Sequence, residues 1–186
     1  MLEILPRARR NGALTTAAPA QFQGVSVRPS SGGARFSLRV APQAGDAALG
    51  LDLAVNKRWT SGDRFSARLG PDEWLIGGPE AEADELREEI ERALVGRFHS
   101  LVDVSHRNVA IEISGALAVE ALNAGCPLDL SDAAFPAGTG TRTLLGKAEI
   151  VLMRPGHGPV FHVECWRSFA PYVFAFLVQA ARTSSA

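Results

Sequence analysis

The chain has 186 residues, 46% of them hydrophobic and 21% charged, with a formal net charge of −1. That apolar share can fill one large core or two small halves. The near-neutral balance leaves no electrostatic footprint for nucleic acid or an anionic membrane surface. Two cysteines, Cys126 and Cys165, are too few for a disulfide framework and read as reduced, buried thiols, which fits the cytoplasm. The opening MLEILPRARR lacks the order of a secretory leader, and the longest apolar run, Pro171 to Val178, is too short to span a bilayer.

Residues 1–34 are rich in Ala, Pro, Gly, Ser and Arg and poor in periodic signal, so they read as an arm. The arm is either disordered or ordered on a partner, with Leu2, Ile4, Leu5 and Phe22 as its anchors. Residues 35–186 form a single α+β domain of two intertwined halves. RFSLRV alternates, with Phe36, Leu38 and Val40 on one face, and LGLDLAV does the same with Leu49, Leu51, Leu53 and Val55. RFSARLGPDEWLIGG predicts a hairpin that turns at Gly70 to Glu73. A helix follows over Glu80 to Leu94, introduced by Pro79, with Leu86, Ile90 and Leu94 on its apolar face.

In LVDVSHRNVAIEIS the apolar parity switches near Arg107 and Asn108, which predicts a bulge or two successive strands. Ser114 is placed to cap a short helix over Gly115 to Ala124. TRTLLGKAEIVLMR predicts a hairpin around Gly146 and Lys147, and VFHVEC a strand with Phe161, Val163 and Cys165 on one side. The last element is a helix over Phe169 to Arg182, with Ser168 as cap and Pro171 in its first turn. Strands and helices follow no regular βα repeat. The class is therefore α+β, mainly antiparallel sheets carrying three main helices.

Candidate chemistry is thin. Asp103, Ser105 and His106 are the residue types of a hydrolase triad. On a strand, however, Asp103 and Ser105 point one way and His106 the other, and no G-x-S-x-G elbow occurs. His162 and Glu164 share a strand face, but His99, His106 and His157 lack ligand-like spacing to them, so no set of four metal ligands assembles. The pair reads as polar residues on an exposed strand face. Gly77 and Gly78 precede a helix, as in a phosphate loop, but Glu80 and Glu82 already occupy its positive end. GTGTRT at Gly138 to Thr143 runs into a strand and lacks a helix dipole. The acidic residues of the first long helix, Glu80 to Glu91, read as a solvated face rather than a docking patch. The terminal helix is apolar nearly all round. Phe174, Leu177 and Val178 cluster on one side, while Tyr172, Val173 and Phe176 cover much of the rest. Tyr172, Phe174, Phe176 and Leu177 are thus the candidate interface residues, one side for the chain's own sheet and the other for a partner.

LGPDEWLI, LVDVSHR, GCPLDL with FPAG, the threonine-bearing hairpin and WRSFAPYVFAFLVQA form an ordered series over residues 49–182. This series resembles the gamma subunits of heterotetrameric sarcosine oxidases, and VDVSH by itself also resembles the aminomethyltransferase family, to whose fold those subunits are related. The resemblance implies an aminomethyltransferase-like architecture. It also implies a complex with alpha, beta and delta subunits that oxidatively demethylates sarcosine to glycine, releases hydrogen peroxide and passes a one-carbon unit to tetrahydrofolate. FAD, NAD, covalent FMN and the tetrahydrofolate site are then expected on the larger subunits, zinc on the smallest, and no cofactor or catalytic residue on this chain. The aminomethyltransferases are about twice as long and close a folate tunnel with a third domain that this chain is too short to include. The alternative reading is a free-standing folate-binding, aminomethyltransferase-like protein.

Overall fold

The computed structural model describes residues 12–30, 32–42 and 47–186. Strands β1 (Ala20–Phe22), β2 (Val25–Pro29) and β3 (Ala34–Val40) open the described chain, followed by β4 (Arg58–Ser61), β5 (Arg64–Arg68) and β6 (Glu73–Gly78). Helix α1 (Ala83–Ala93), strands β7 (His99–Asp103) and β8 (Asn108–Ser114), and helix α2 (Ala118–Asn123) come next. Strands β9 (Thr139–Leu145), β10 (Ala148–Arg154) and β11 (Val160–Trp166) lead to helix α3 (Ala170–Ser184). They form two antiparallel sheets, one in the order β1-β2-β8-β11-β10-β9 and the other in the order β4-β5-β6-β3-β7.

The sheets stack face to face with helices outside. Alternation along β3 and β6 sends Phe36, Leu38, Trp74 and Ile76 to one face, where Leu86, Ile90 and Leu94 of α1 and its C-terminus cover them. Val27, Ile111, Ile113, Leu152, Phe161 and Val163 line the outer face of the six-stranded sheet, under α2 and α3. A smaller cluster of Phe65, Ala67, Leu75, Val104, Val151 and Met153 joins the two sheets. Each fully buried large side chain in these layers contributes about 1.5–3 kcal/mol by leaving water. The parity switch seen in the sequence is the crossing point: β7 belongs to the five-stranded sheet and β8 to the six-stranded one, with a turn over residues 104–107 between them.

Four expectations change. The arm reading holds for none of residues 20–29: β2 lies between β1 and β8, Val25 and Val27 are buried, and Arg28 grips Glu112 of β8 with two hydrogen bonds of 3.0 and 2.9 Å. Phe22 packs on the chain's own core beneath Arg182, while Leu2, Ile4 and Leu5 lie outside the described residues. The expected strand over Leu49–Val55 is a short 3-10 turn, Ala47–Leu49, followed by turns. Leu49 and Leu51 are buried in the α1 layer. Their spacing imitates a strand, but Gly50 takes φ +65°, and a Cβ there would sit 2.4 Å from the Ser66 hydroxyl. The strand that pairs with β5 is β4 instead, reached through the turn at Gly62 and Asp63, with Gly62 at φ +55°. Finally, neither Ser114 nor Ser168 caps a helix: the N-caps are Leu117 and Phe169, without side-chain hydrogen bonds.

Candidate functional site

The apparent triad is a structural clip. Asp103 Oδ1 accepts the Ser105 N–H at 2.9 Å, an Asx turn, while Ser105 Oγ accepts the Arg35 N–H at 2.9 Å and ties the β7–β8 turn to β3. Burial opposes ionisation of Asp103, but hydrogen bonds from Ser105 and the charge of Arg87 outweigh it and hold the carboxyl below the usual range. Among the described residues no three His, Cys, Asp or Glu side chains converge as a metal site. The Gly77–Gly78 pair serves strand packing, since a Cβ on Gly77 would lie 2.4 Å from the Phe65 ring. The acidic face of α1 is partly neutralised from within: Arg64 reaches Glu82 and Glu89 at 2.7 Å and Glu85 at 3.3 Å.

The polar chemistry of this chain lies between the sheets. Because Phe36, Leu38, Phe161 and Val163 face the helices, their strand neighbours Arg35 and Glu164 must face the opposing sheet. Arg35 Nε donates to Glu164 Oε1 at 2.7 Å, and both side chains are nearly closed to solvent, 10% and 2% exposed. His162 stands one pleat along, half-buried, 3.7 Å from Glu112. Burial, aided by the nearby Arg58 charge, lowers its pKa and favours the neutral ring. The exposed-face reading of His162 and Glu164 is therefore overturned: the face is covered by β3 and β5. From β4, Arg58 reaches the same space. The guanidinium carbons of Arg58 and Arg35 lie 5.2 and 5.5 Å from the centroid of the Phe65 ring. Burial pulls the Arg58 pKa down to about 10, against the pull of Glu164. A cleft of about 650 Å³ opens here, lined by Gly33, Arg35, Arg58, Phe65, His162 and Glu164 among others. Arg35 was missed in the sequence because a single arginine in an alternating strand looks like any wet strand edge, and Arg58 because it stands beside Lys57 in a largely polar stretch.

The terminal helix is oriented differently from its large side chains' clustering. Ala170, Val173, Leu177, Ala180 and Ala181 face the core, because the small alanines let the helix sit close to the sheet. Leu177 is fully buried, which removes it from the candidate interface. Phe174 and Phe176 are half-buried, and Phe176 covers Gly125, where a Cβ would come within 2.5 Å of its ring. Tyr172 remains 38% exposed while its hydroxyl accepts the Lys147 N–H at 3.1 Å across the β9–β10 turn. That end of the molecule also presents Leu144, Trp166 and Phe169, which are 51%, 48% and 39% exposed. Leu144 pairs with Glu149, and Trp166 lies one place beyond the Ile150–Cys165 pair, so Glu149 separates them on one face. The Arg107 guanidinium lies 5.8 Å above the Trp166 ring.

Comparison with known proteins agrees with this architecture. The fold is similar to that of a chain from the heterotetrameric sarcosine oxidase of Corynebacterium sp. U-96, solved in complex with pyrrole 2-carboxylate. The TM-score is 0.81 at 23% identity over 95% of this chain and 97% of that one. It also resembles the glycine cleavage system aminomethyltransferase T of Bartonella henselae, with a TM-score of 0.60 at 15% identity over 87% of this chain and 50% of that one. In sequence the chain is 31% identical over 140 residues to the sarcosine oxidase subunit gamma of Arthrobacter sp, covering 71% of this chain and 68% of that one. It is 28% identical over 196 aligned positions to that of Corynebacterium sp. (strain U-96), covering 97% and 91%. Residues 38–183, which hold both sheets except β1, β2 and the first residues of β3, match the family described as sarcosine oxidase, gamma subunit. The chain belongs to the sarcosine oxidase gamma subunit family.

Proposed function

We propose that this chain is the gamma subunit of a four-chain, cytoplasmic sarcosine oxidase and works by assembling with alpha, beta and delta subunits rather than by chemistry of its own. In this reading the complex oxidatively demethylates sarcosine to glycine, reduces oxygen to hydrogen peroxide and hands a one-carbon unit to tetrahydrofolate. FAD, FMN, NAD and zinc reside on the other chains. The observation that carries the proposal is the family match over residues 38–183, with one relative bearing the gamma-subunit name aligned along 97% of the chain.

The exposed end surface supports a partner contact. At the end of the six-stranded sheet where β9 turns into β10, β11 ends and α3 begins, Leu144 and Trp166 are exposed on the face turned to the other sheet, and Phe169 and Tyr172 on the α3 side. Aromatic side chains rimmed by charge, here Arg107, Lys147 and Glu149, are the composition of an interface core rather than of free surface. The test is co-expression of the tagged chain with alpha, beta and delta subunits of sarcosine oxidase. A flavin-bearing complex with sarcosine oxidase activity should co-purify. Trp166→Glu should weaken assembly by at least tenfold while the separate chain keeps its circular dichroism and melting temperature. Purification of an active oxidase that never includes this chain overturns the proposal; wild-type assembly by Trp166→Glu and Tyr172→Glu removes this surface from it.

A further inference from the structure

Most edges of the two sheets are short or stitched. β1 has three residues, and β4 and β9 lean on each other through the Lys57–Thr139 bridge. β7 is different: it ends the five-stranded sheet, five residues long, and among the described residues no strand lies beyond it. Open edges are usually blunted by lysine, proline or a bulge, because their outward backbone groups invite another strand. β7, with the sequence HSLVD, has no lysine or proline, and it carries exposed apolar side chains. Val102 is 52% exposed, and Phe98, one residue before the strand, is 100% exposed.

The ladder fixes which atoms this edge offers. The Val104 N–H donates to the Arg35 carbonyl at 2.7 Å, Val102 stands opposite Ser37, and Ser100 opposite Arg39. Hydrogen-bonded and non-hydrogen-bonded pairs alternate along an antiparallel ladder. Val104, Val102 and Ser100 therefore bond to β3, while the N–H and C=O of His99, Leu101 and Asp103 point outwards. Leu101 packs in the α1 layer, so His99 and Asp103 share that face, and Phe98 and Val102 lie on the other.

The edge is complementary to itself. When two copies of β7 run antiparallel with Leu101 facing Leu101, every outward residue meets an outward residue, and His99 of one copy stands opposite Asp103 of the other. Both ring nitrogens of His99 meet acceptors at 2.9 Å, the Arg97 carbonyl and the Glu91 carboxylate, which favours the protonated ring. Its counterpart is a carboxylate. The α1 helices continue the pattern. Glu91 sits beside His99 and the Arg87 charge acts on Asp103, so each Glu91 comes to the side of the other copy's Arg87. Asp84 and Glu88, on the same flank of α1, turn farther from the sheet by helical spacing. On the opposite face the same register sets Phe98 of each copy diagonally across from Val102 of the other, which covers both exposed side chains. A slip of one residue loses the His99–Asp103 pairing and sets outward backbone groups against inward ones.

We infer that β7 is the docking edge for a second copy of this chain, the two strands pairing antiparallel about a two-fold axis at Leu101 to make one continuous sheet. The contact is isologous and closes on itself. It is separate from the end surface assigned to partner subunits, since β7 carries none of Leu144, Trp166, Phe169 or Tyr172.

The test needs only the full-length chain. Sedimentation velocity over a concentration series should show monomer giving way to dimer. Val102→Lys and Phe98→Glu, both at exposed positions, should keep the parent's circular dichroism and raise the dimer dissociation constant by roughly tenfold or more. Two cysteine variants read the register. Leu101→Cys places the thiols at the two-fold axis, where facing Cα atoms lie about 5.5 Å apart, so mild oxidation should link two chains. Val102→Cys places them on the diagonal of the ladder, about 7–8 Å apart, and should stay unlinked. A chain that stays monomeric throughout, a dimer undisturbed by both charged substitutions, or Leu101→Cys linking no faster than Val102→Cys overturns the inference. No other subunit enters this readout, so its outcome is independent of the proposed place in a complex.

Discussion

Replacing Arg35 by methionine tests the junction between the sheets. In the native chain Glu164 Oε1 is held by Arg35 Nε at 2.7 Å, and the carboxylate is 2% exposed. Methionine keeps much of the aliphatic length but strands the carboxylate away from water. Removing one member of a buried ion pair costs about 3–5 kcal/mol, because the survivor keeps its desolvation penalty. Arg58 already feels the charge of Glu164 and cushions the loss, which puts the expected cost near the lower end, about 3 kcal/mol. For a chain of this length that lowers the melting temperature by roughly 6–12 °C. The paired substitution Arg35→Met with Glu164→Leu removes both charges of the pair and should recover part of that loss, stopping short of the parent because buried Arg58 then loses the attraction of Glu164. Urea unfolding followed by tryptophan fluorescence measures all four corners of the cycle, and a coupling energy of about 2–3 kcal/mol is expected between the two sites. A cost below about 1 kcal/mol for Arg35→Met, or a double variant as unstable as the sum of the singles, would refute the claim that the two charges meet in a closed space.

Leu177→Ala should destabilise the chain by about 2–5 kcal/mol, because Leu177 is fully buried on the core side of α3; Tyr172→Ala loses one hydrogen bond and a ring that is 38% exposed, and should cost about 1–2 kcal/mol. Equal urea midpoints for the two would contradict the orientation given to the helix. Burial, and then the Glu164 charge, push the Cys165 thiol up to about 12, so an aromatic disulfide reagent at neutral pH should modify it no faster than the chain unfolds. Rapid labelling in the absence of denaturant would show the thiol to be accessible. The Arg97 carbonyl and the Glu91 carboxylate raise the His99 pKa above the ordinary 6.5. A raised histidine stabilises the fold fully below 6.5 and loses that contribution as pH rises through its folded value. His99→Gln should accordingly flatten the fall in stability between mildly acidic and mildly alkaline pH. An unchanged profile would mean that the ring gains nothing from Glu91.

Local sequence was sufficient where one element's pattern carries its own answer. The β5–β6 and β9–β10 hairpins, α1 and α3 follow from alternation, turn residues and helical spacing, because those signals are set by neighbours in the chain. The gamma-subunit likeness was legible as well, through an ordered series of short segments that later matched over residues 38–183. Residues 25–29 alternate too weakly to separate a strand from an arm; they become a strand because β8 offers an edge and Glu112 a partner for Arg28. Leu49 and Leu51 alternate convincingly yet sit in turns, since Gly50 needs a left-handed backbone beneath Trp59 and Ser66.

Tertiary structure alone decided the site. Period 2 states that Arg35 and Glu164 each oppose an apolar face, but not that the two opposite faces are turned towards each other, 129 positions apart. It likewise could not separate the core side of α3 from its outer side, because large side chains surround the helix and the choice fell to Ala170, Ala180 and Ala181, whose small size allows close approach to the sheet. Periodicity fixes which residues share a face. What that face meets depends on how the sheets stack, and stacking is settled by the shapes and charges of segments far apart in the chain.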